Sequence, residues 1–223
     1  LYLATHGVHE PRIPHPRFVG KSGCGVYGDQ VLELDDLVGQ LVVKLKQLKL
    51  DDNTLIVFSS DNGGCPGGKS SYKHGDLANL LGHRNNGVLR GGKGDSHEGG
   101  TRVPFIVHWP GHAAAGKVSP ALVSQLDLAA SFAGLLGVKL PDGAARDSFN
   151  VLPALLGKSD TGRPELIEHR LGFRLGRWKL IQGALYDLST DISERNNVAR
   201  EHPEIVKKMT ARLREINRSA LTR

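Results

Sequence analysis

Asp52-Asn53-Thr54-Leu55-Ile56-Val57-Phe58-Ser59-Ser60-Asp61-Asn62-Gly63 is the stretch that decides the fold of this chain. Thr54 to Ser59 is apolar and rich in β-branched residues, which predicts a fully buried strand, and Asp51-Asp52-Asn53 turns the chain into it. Upstream, Val31, Leu34, Leu37, Val38, Leu41, Val42, Leu45 and Leu48 recur at helical spacing, while Gln30, Glu33, Asp36, Gln40, Lys44 and Gln47 take the opposite face. That pattern predicts an amphipathic helix from Asp29 to Leu50, with Asp29 as its cap after Gly28. A helix feeding a buried strand is the signature of an α/β protein.

Downstream, residues 63 to 100 hold twelve glycines and little periodicity, a length of loop that in a folded domain is usually functional. Val103-Pro104-Phe105-Ile106-Val107-His108-Trp109 predicts a second buried strand, closed by Pro110-Gly111. Val123, Leu126, Leu128, Phe132, Leu135 and Leu136 predict a helix ending at Gly137. The Gly/Ser/Pro-bearing stretch from Gly157 to Pro164 suggests a domain boundary near residue 160. Beyond it, Phe173-Arg174-Leu175, Trp178-Lys179-Leu180-Ile181 and Ala184-Leu185-Tyr186-Asp187-Leu188 read as short antiparallel strands. Ile205, Met209, Leu213 and Ile216 form the stripe of a last helix, with Pro203 near its start. At the other end, Leu1-Tyr2-Leu3-Ala4 reads as a strand entered in mid-fold, as in a fragment.

Composition removes several classes. The 223 residues are 39% hydrophobic, enough for a core. Their apolar runs are broken well before the roughly 20 residues of a membrane-spanning helix. Cys24 and Cys65 are too few for a disulfide framework and lack zinc-ribbon spacing. The net charge of +6 is concentrated after Pro203, where six basic residues face only Glu204 and Glu215. No aromatic residues accompany them, so this run reads as the solvated face of a terminal helix rather than a nucleic-acid surface.

Three places carry chemistry. Asp61-Asn62-Gly63-Gly64 stands at the carboxyl end of the buried strand, where open α/β sheets bind ligands, and offers hard oxygen donors suited to calcium or magnesium. The same tetrapeptide is also an ordinary turn sequence. Gly87-Val88-Leu89-Arg90-Gly91-Gly92-Lys93-Gly94 nearly spells a phosphate-binding loop, but Gly94 occupies the Ser/Thr position and the strand-loop-helix context is missing. What survives is Lys93 held in glycine-rich backbone, able to approach a tetrahedral anion. Thr5-His6-Gly7-Val8-His9-Glu10-Pro11 places two histidines on a loop, either of which could protonate a leaving oxygen. His97-Glu98 opens like a zincin helix, yet Thr101 stands where the second histidine belongs.

Taken in order, these blocks resemble the sulfatase family of the alkaline-phosphatase-like superfamily. The match runs through Thr5-His6-Gly7-Val8-His9-Glu10-Pro11, Tyr27-Gly28-Asp29 with Glu33-Leu34-Asp35-Asp36, and Asp52 through Gly63. It continues through Leu89-Arg90-Gly91-Gly92-Lys93-Gly94 to Glu98-Gly99-Gly100-Thr101-Arg102-Val103-Pro104 and Trp109-Pro110-Gly111. Trp178-Lys179-Leu180, Leu185-Tyr186-Asp187-Leu188 and Glu194 with Asn196-Asn197 are similar to the family's C-terminal section.

The resemblance implies a calcium-dependent sulfuric ester hydrolase acting on a sulfated small molecule or glycan, in the periplasm or secreted. It makes Asp61 and Asn62 calcium ligands and Lys93 a sulfate-binding cation. It makes His9 the active-site histidine, because His9 rather than His6 stands 20 residues before Asp29. It implies an incomplete mixed sheet flanked by helices over residues 1–160, and a small antiparallel sheet with a helix over residues 161–223. The family's formylglycine arises from a C/S-x-P-S-R motif that these residues do not contain, and its further metal-binding aspartates are missing as well. The chain therefore resembles a C-terminal half, inactive alone, whose partner is the missing half or another protomer. A phosphate or phosphonate monoester hydrolase of the same superfamily, or a glycan-binding module without catalysis, would share much of this pattern. Substrate choice is expected in loops such as Cys65 to Asn86.

Overall fold

Helix α1 runs over Gly25–Gln47, four residues earlier at its start than the apolar period indicates. Asp29 is therefore no cap: it lies inside the helix, and its carboxylate accepts the backbone N–H groups of Gly20 (2.8 Å) and Ser22 (3.0 Å). Glu33 accepts the N–H of His15 at 3.1 Å, and Asp36 pairs with Arg17, so three acids along one helix face hold the segment that precedes the helix. Burial pushes the Asp29 carboxyl up, but the N–H groups of Ser22 and Gly20 outweigh it and hold it below the usual aspartate range. The apolar stripe of α1 is only partly covered: Val31 and Leu37 are exposed, and Leu34, Val38 and Leu41 half-buried.

The computed structural model describes residues 1–65, 82–169 and 171–218. The chain forms two units, Leu1–Thr54 with Gly64–Val88, and Leu55–Gly63 with Leu89–Arg223. Residues 66–81 of the predicted substrate loop, and Arg223 of the basic run, lie outside the described residues. The boundary expected near residue 160 falls within the second unit. Among the described residues no helix is long and apolar enough to cross a membrane.

In the second unit, β1 (Ile56–Ser59) pairs antiparallel with β2 (Phe105–His108), Ile56 opposite His108 and Ser59 opposite Phe105. The short helix α2 (Glu98–Thr101) lies between them in sequence. Phe105 and Val107 point into a core with Val151, Ala154 and Leu155, while Ile106 is 58% exposed. The strand predicted as fully buried is half-buried at all four positions, because among the described residues β1 has one neighbouring strand. The strand expected at Leu1 to Ala4 is absent: these residues are exposed and have no strand partner among the described residues. Helix α3 (Leu128–Leu136) ends where predicted, with Gly137 in the left-handed region at φ 65°. Its entry is fixed by Ser124 and Asp127 in a reciprocal capping box, and the fully buried Asp127 also pairs with Arg163 at 3.2 Å. Helix α4 (Leu152–Leu155) completes this part.

A four-stranded antiparallel meander follows: β3 (Glu165–Glu168), which periodicity did not disclose, then β4 (Gly172–Leu175), β5 (Trp178–Ile181) and β6 (Ala184–Asp187). Alternation gives the sheet two unlike faces. Phe173, Leu180 and Leu185 pack one face against Met209 and Ile216 of helix α5 (Pro203–Arg218), the predicted stripe. The other face carries Glu168, Arg174, Lys179 and Tyr186, and it too is covered.

Candidate functional site

Asp61 and Asn62 follow β1 at its carboxyl end. Asp61 is exposed, and Asn62 donates its Nδ2 to the Gly63 carbonyl at 3.0 Å, which leaves its Oδ1 as the acceptor. The turn is fixed from behind. Gly63 N–H donates to Gly100 O at 3.0 Å, and a Cβ at Gly63 would stand 1.8 Å from the carbonyl oxygen of Gly99, so only glycine fits. Gln125 Nε2 donates to Ser60 O at 2.5 Å and holds the strand end from the other side.

Lys93 is exposed on a turn between Gly91 (φ 75°) and Gly94 (φ 84°), both in the left-handed region. Asp95 N–H closes that turn onto Gly92 O at 2.8 Å, and Gly99 N–H closes its neck onto Arg90 O at 2.7 Å. Since Gly99-Gly100 is also the anchor of Gly63, one short backbone segment sets the place of both the Lys93 turn and the Asp61-Asn62 turn. A cleft of about 720 Å³ in this unit is lined by Asp61, Glu98, Arg102, Phe105, Leu126 and Arg174.

Behind these turns lies a group of buried charges that the sequence did not reveal. Lys179, fully buried, places its Nζ 2.6 Å from Glu168, 2.7 Å from Glu98 and 3.6 Å from Glu194, with Thr101 Oγ1 at 3.2 Å. Arg102 binds Glu98 at 2.5 Å, and Arg174 approaches it at 3.8 Å. Burial pushes Glu98 up, but Lys179 and Arg102 overcome this and hold it below the usual glutamate range. For Glu168 and Glu194 burial prevails over Lys179 and raises both carboxyls. Burial alone would lower Lys179, yet Glu168 and Glu98 raise it, so it stays an ammonium. The missed signal was the alternation of Arg174, Lys179 and Tyr186, which reads as a solvent face when nothing shows that a loop covers it.

His9 and His6 lie in the first unit, whereas Asp61, Asn62 and Lys93 lie in the second. Both histidines are exposed. His9 Nδ1 sits 2.8 Å from Glu10 O, and its N–H donates to His6 O at 3.0 Å. As a metal donor set, the Asp61 carboxylate and the Asn62 amide oxygen have the hardness calcium or magnesium requires, but they make only part of the six to eight oxygens of a calcium shell. Among the described residues no group of three or more His, Cys, Asp or Glu side chains could hold a metal ion.

The strand-end Asp-Asn turn and the glycine-cradled lysine, both anchored to Gly99-Gly100, are the arrangement that the resemblance to sulfatases leads one to expect. Comparison with known proteins makes this specific. The sulfatase family model matches residues 1–138, and that of the N-sulphoglucosamine sulphohydrolase C-terminal region matches residues 93–219. An N-acetylgalactosamine-6-O-sulfatase of Bacteroides thetaiotaomicron is 42% identical over 97% of this chain and 46% of its own length. Human arylsulfatase A is 39% identical over 74% of this chain and 30% of its own length. A solved structure, from work on the metabolism of multiple glycosaminoglycans by Bacteroides thetaiotaomicron, has a TM-score of 0.86 and 41% identity, covering 95% of this chain and 48% of that one. The chain belongs to the sulfatase family. It spans about half the length of the first of these relatives.

Proposed function

We propose that this chain supplies one wall of the active site of a calcium-dependent sulfuric ester hydrolase, in which water enters and an alcohol and inorganic sulfate leave. The observation that carries this reading is the shared anchoring of the Asp61-Asn62 turn and the Lys93 turn on Gly99-Gly100, in a chain 42% identical to a named sulfatase. Residues 1–160 finish the catalytic domain in this reading, and residues 161–223 form its C-terminal subdomain. The relatives' names point to sulfated glycans as the substrate class.

Asp61 and Asn62 would hold the calcium ion, which when bound neutralises charge on the sulfuryl oxygens. Lys93 contributes an ammonium group to the same anion, from a turn closed by the Asp95 and Gly99 backbone N–H bonds. The two roles separate experimentally in the complete enzyme, meaning this chain together with the remaining length its relatives carry. Asp61→Ala should depress calcium affinity and turnover together. Lys93→Ala should lower turnover by about 10²-fold while calcium affinity holds. Calorimetric calcium titration of both variants decides the matter; equal loss of calcium from each would show the roles misassigned.

His9 is assigned to stabilise or protonate the departing alkoxide. Proton donation matters most for a poor leaving group, so His9→Ala should slow an alkyl or sugar sulfate far more than an activated aryl sulfate. His6→Ala should show no such dependence. If the leaving-group dependence follows His6 instead, the assignment shifts by three residues.

A further inference from the structure

We propose that Glu194 is a positioning residue for Lys93, gripping the neck of its loop from the far end of the chain. The proposal rests on Lys93 being the sulfate-binding cation. Glu194 lies in the turn after β6, where its N–H donates to Asp191 O at 3.1 Å. Its side chain is fully buried, and its backbone sits in the left-handed region at φ 51°. A non-glycine residue pays for that conformation and keeps it only where the surroundings over-determine it.

What determines it is a two-point hold on one loop. The Glu194 carbonyl accepts Arg90 Nη1 at 2.9 Å, and its Oε2 accepts the backbone N–H of Glu98 at 2.6 Å. Arg90 and Glu98 flank the turn that carries Lys93, and the Gly99 N–H bond to Arg90 O joins them across its neck. The Glu98 N–H lies in the first turn of α2, where no carbonyl of the helix accepts it, and His97, at the cap position, makes no side-chain cap bond. Glu194 supplies that cap from 96 residues away. Arg90 Nη1 also reaches Tyr186 OH at 3.2 Å, and Lys179 stands between Glu98 and Glu194 as counter-charge. The covered polar face of the meander is thus a seat for the loop, and Glu194 is hydrogen-bonded at both of its ends.

The test uses the complete enzyme in four forms: wild type, Glu194→Ala, Lys93→Ala and the double variant, assayed on an aryl sulfate with amide exchange followed in parallel. Glu194→Ala should lower kcat about 10- to 100-fold, the scale of misplacing a reacting group by roughly an ångström, and Glu194→Gln, whose amide oxygen still accepts the Glu98 N–H, should recover most of the loss. In the Lys93→Ala background Glu194→Ala should cost less than about twofold, because the effect passes through Lys93. Exchange at Glu98 and Gly99 should quicken at least about tenfold, with Leu180 of β5 and Met209 of α5 unchanged. Glu194→Gly, which relieves the backbone but removes the carboxylate, should behave like Glu194→Ala. Multiplicative losses in the double variant, equal acceleration of exchange in β5 and α5, or wild-type behaviour of Glu194→Gly would each overturn the proposal. If the wild-type enzyme hydrolyses no aryl sulfate, the sulfatase reading fails, and exchange at Glu98 and Gly99 still decides whether Glu194 holds the loop.

Discussion

Purified alone, the 223-residue chain is expected to give no multiple-turnover hydrolysis of an aryl sulfate, while the complete enzyme turns it over. Attack at sulfur needs an activated nucleophile, and the C/S-x-P-S-R motif that supplies one in this family is not among these residues. Cys24 is followed by Gly25-Val26-Tyr27, and Cys65 by Pro66-Gly67-Gly68, so neither thiol stands in that motif. Removing a nucleophile costs on the order of 10⁶ in rate, which puts any residual activity below detection in an ordinary assay. Sustained turnover by the isolated chain, proportional to its concentration and abolished by Lys93→Ala, would mean that a residue within it carries the attack.

The second large effect is on stability. Lys179→Met should destabilise the chain by about 3–5 kcal/mol, because it leaves Glu98, Glu168 and Glu194 buried without their common ammonium. Lys207→Met, at an exposed position of α5, should stay within about 0.5 kcal/mol. Urea unfolding followed by tryptophan fluorescence measures both, since Trp178 adjoins Lys179. The sign of the pH dependence follows from the groups. Lys179 has a raised pKa in the folded chain, so its contribution is complete below the usual lysine value and is lost only as pH rises through the raised one. Without it, the folded-state carboxyls of Glu168 and Glu194 rise further above their ordinary value of 4.5, and Glu98 loses the cation that does most to hold it below. Their penalty is absent while they are protonated in both states and grows as pH climbs past that value. The deficit should therefore be smaller near pH 5 than near pH 7.5. A deficit under about 1 kcal/mol at the higher pH would mean that the acids are solvated or that another cation replaces the lysine.

Much of this was legible in the sequence because it is local. The helix before β1, the strand itself, the α3 stop at Gly137 and the stripe of α5 are all patterns of neighbouring residues, and the structure forms each of them. The same is true of the Asp61-Asn62 turn and the glycines around Lys93. Asp29 misled because a capping residue type next to a glycine is ambiguous: its carboxylate does bind backbone N–H groups, but those of the preceding loop rather than of its own helix. Leu1 to Ala4 misled because an apolar run is a strand only when another strand accepts it. The buried charges were beyond reach for a different reason. Glu98 and Lys179 are 81 residues apart, and no spacing rule joins a glutamate in a glycine-rich loop to a lysine in an amphipathic strand. Only the covered second face of the sheet turns them into one group.

The contact of Gly63 with Gly99 and Gly100 also bears on how such proteins can diversify. With the carbonyl of Gly99 1.8 Å from where a Cβ of Gly63 would be, the two loops meet in van der Waals contact, and neither Gly63 nor Gly99 can take a side chain unless the backbone it faces moves. A graft between relatives must carry the residues around 60–64 and 89–102 as one cassette. Variation among relatives is thereby directed to segments that leave this boundary alone, so the two turns are inherited as a block while the rest of the surface drifts.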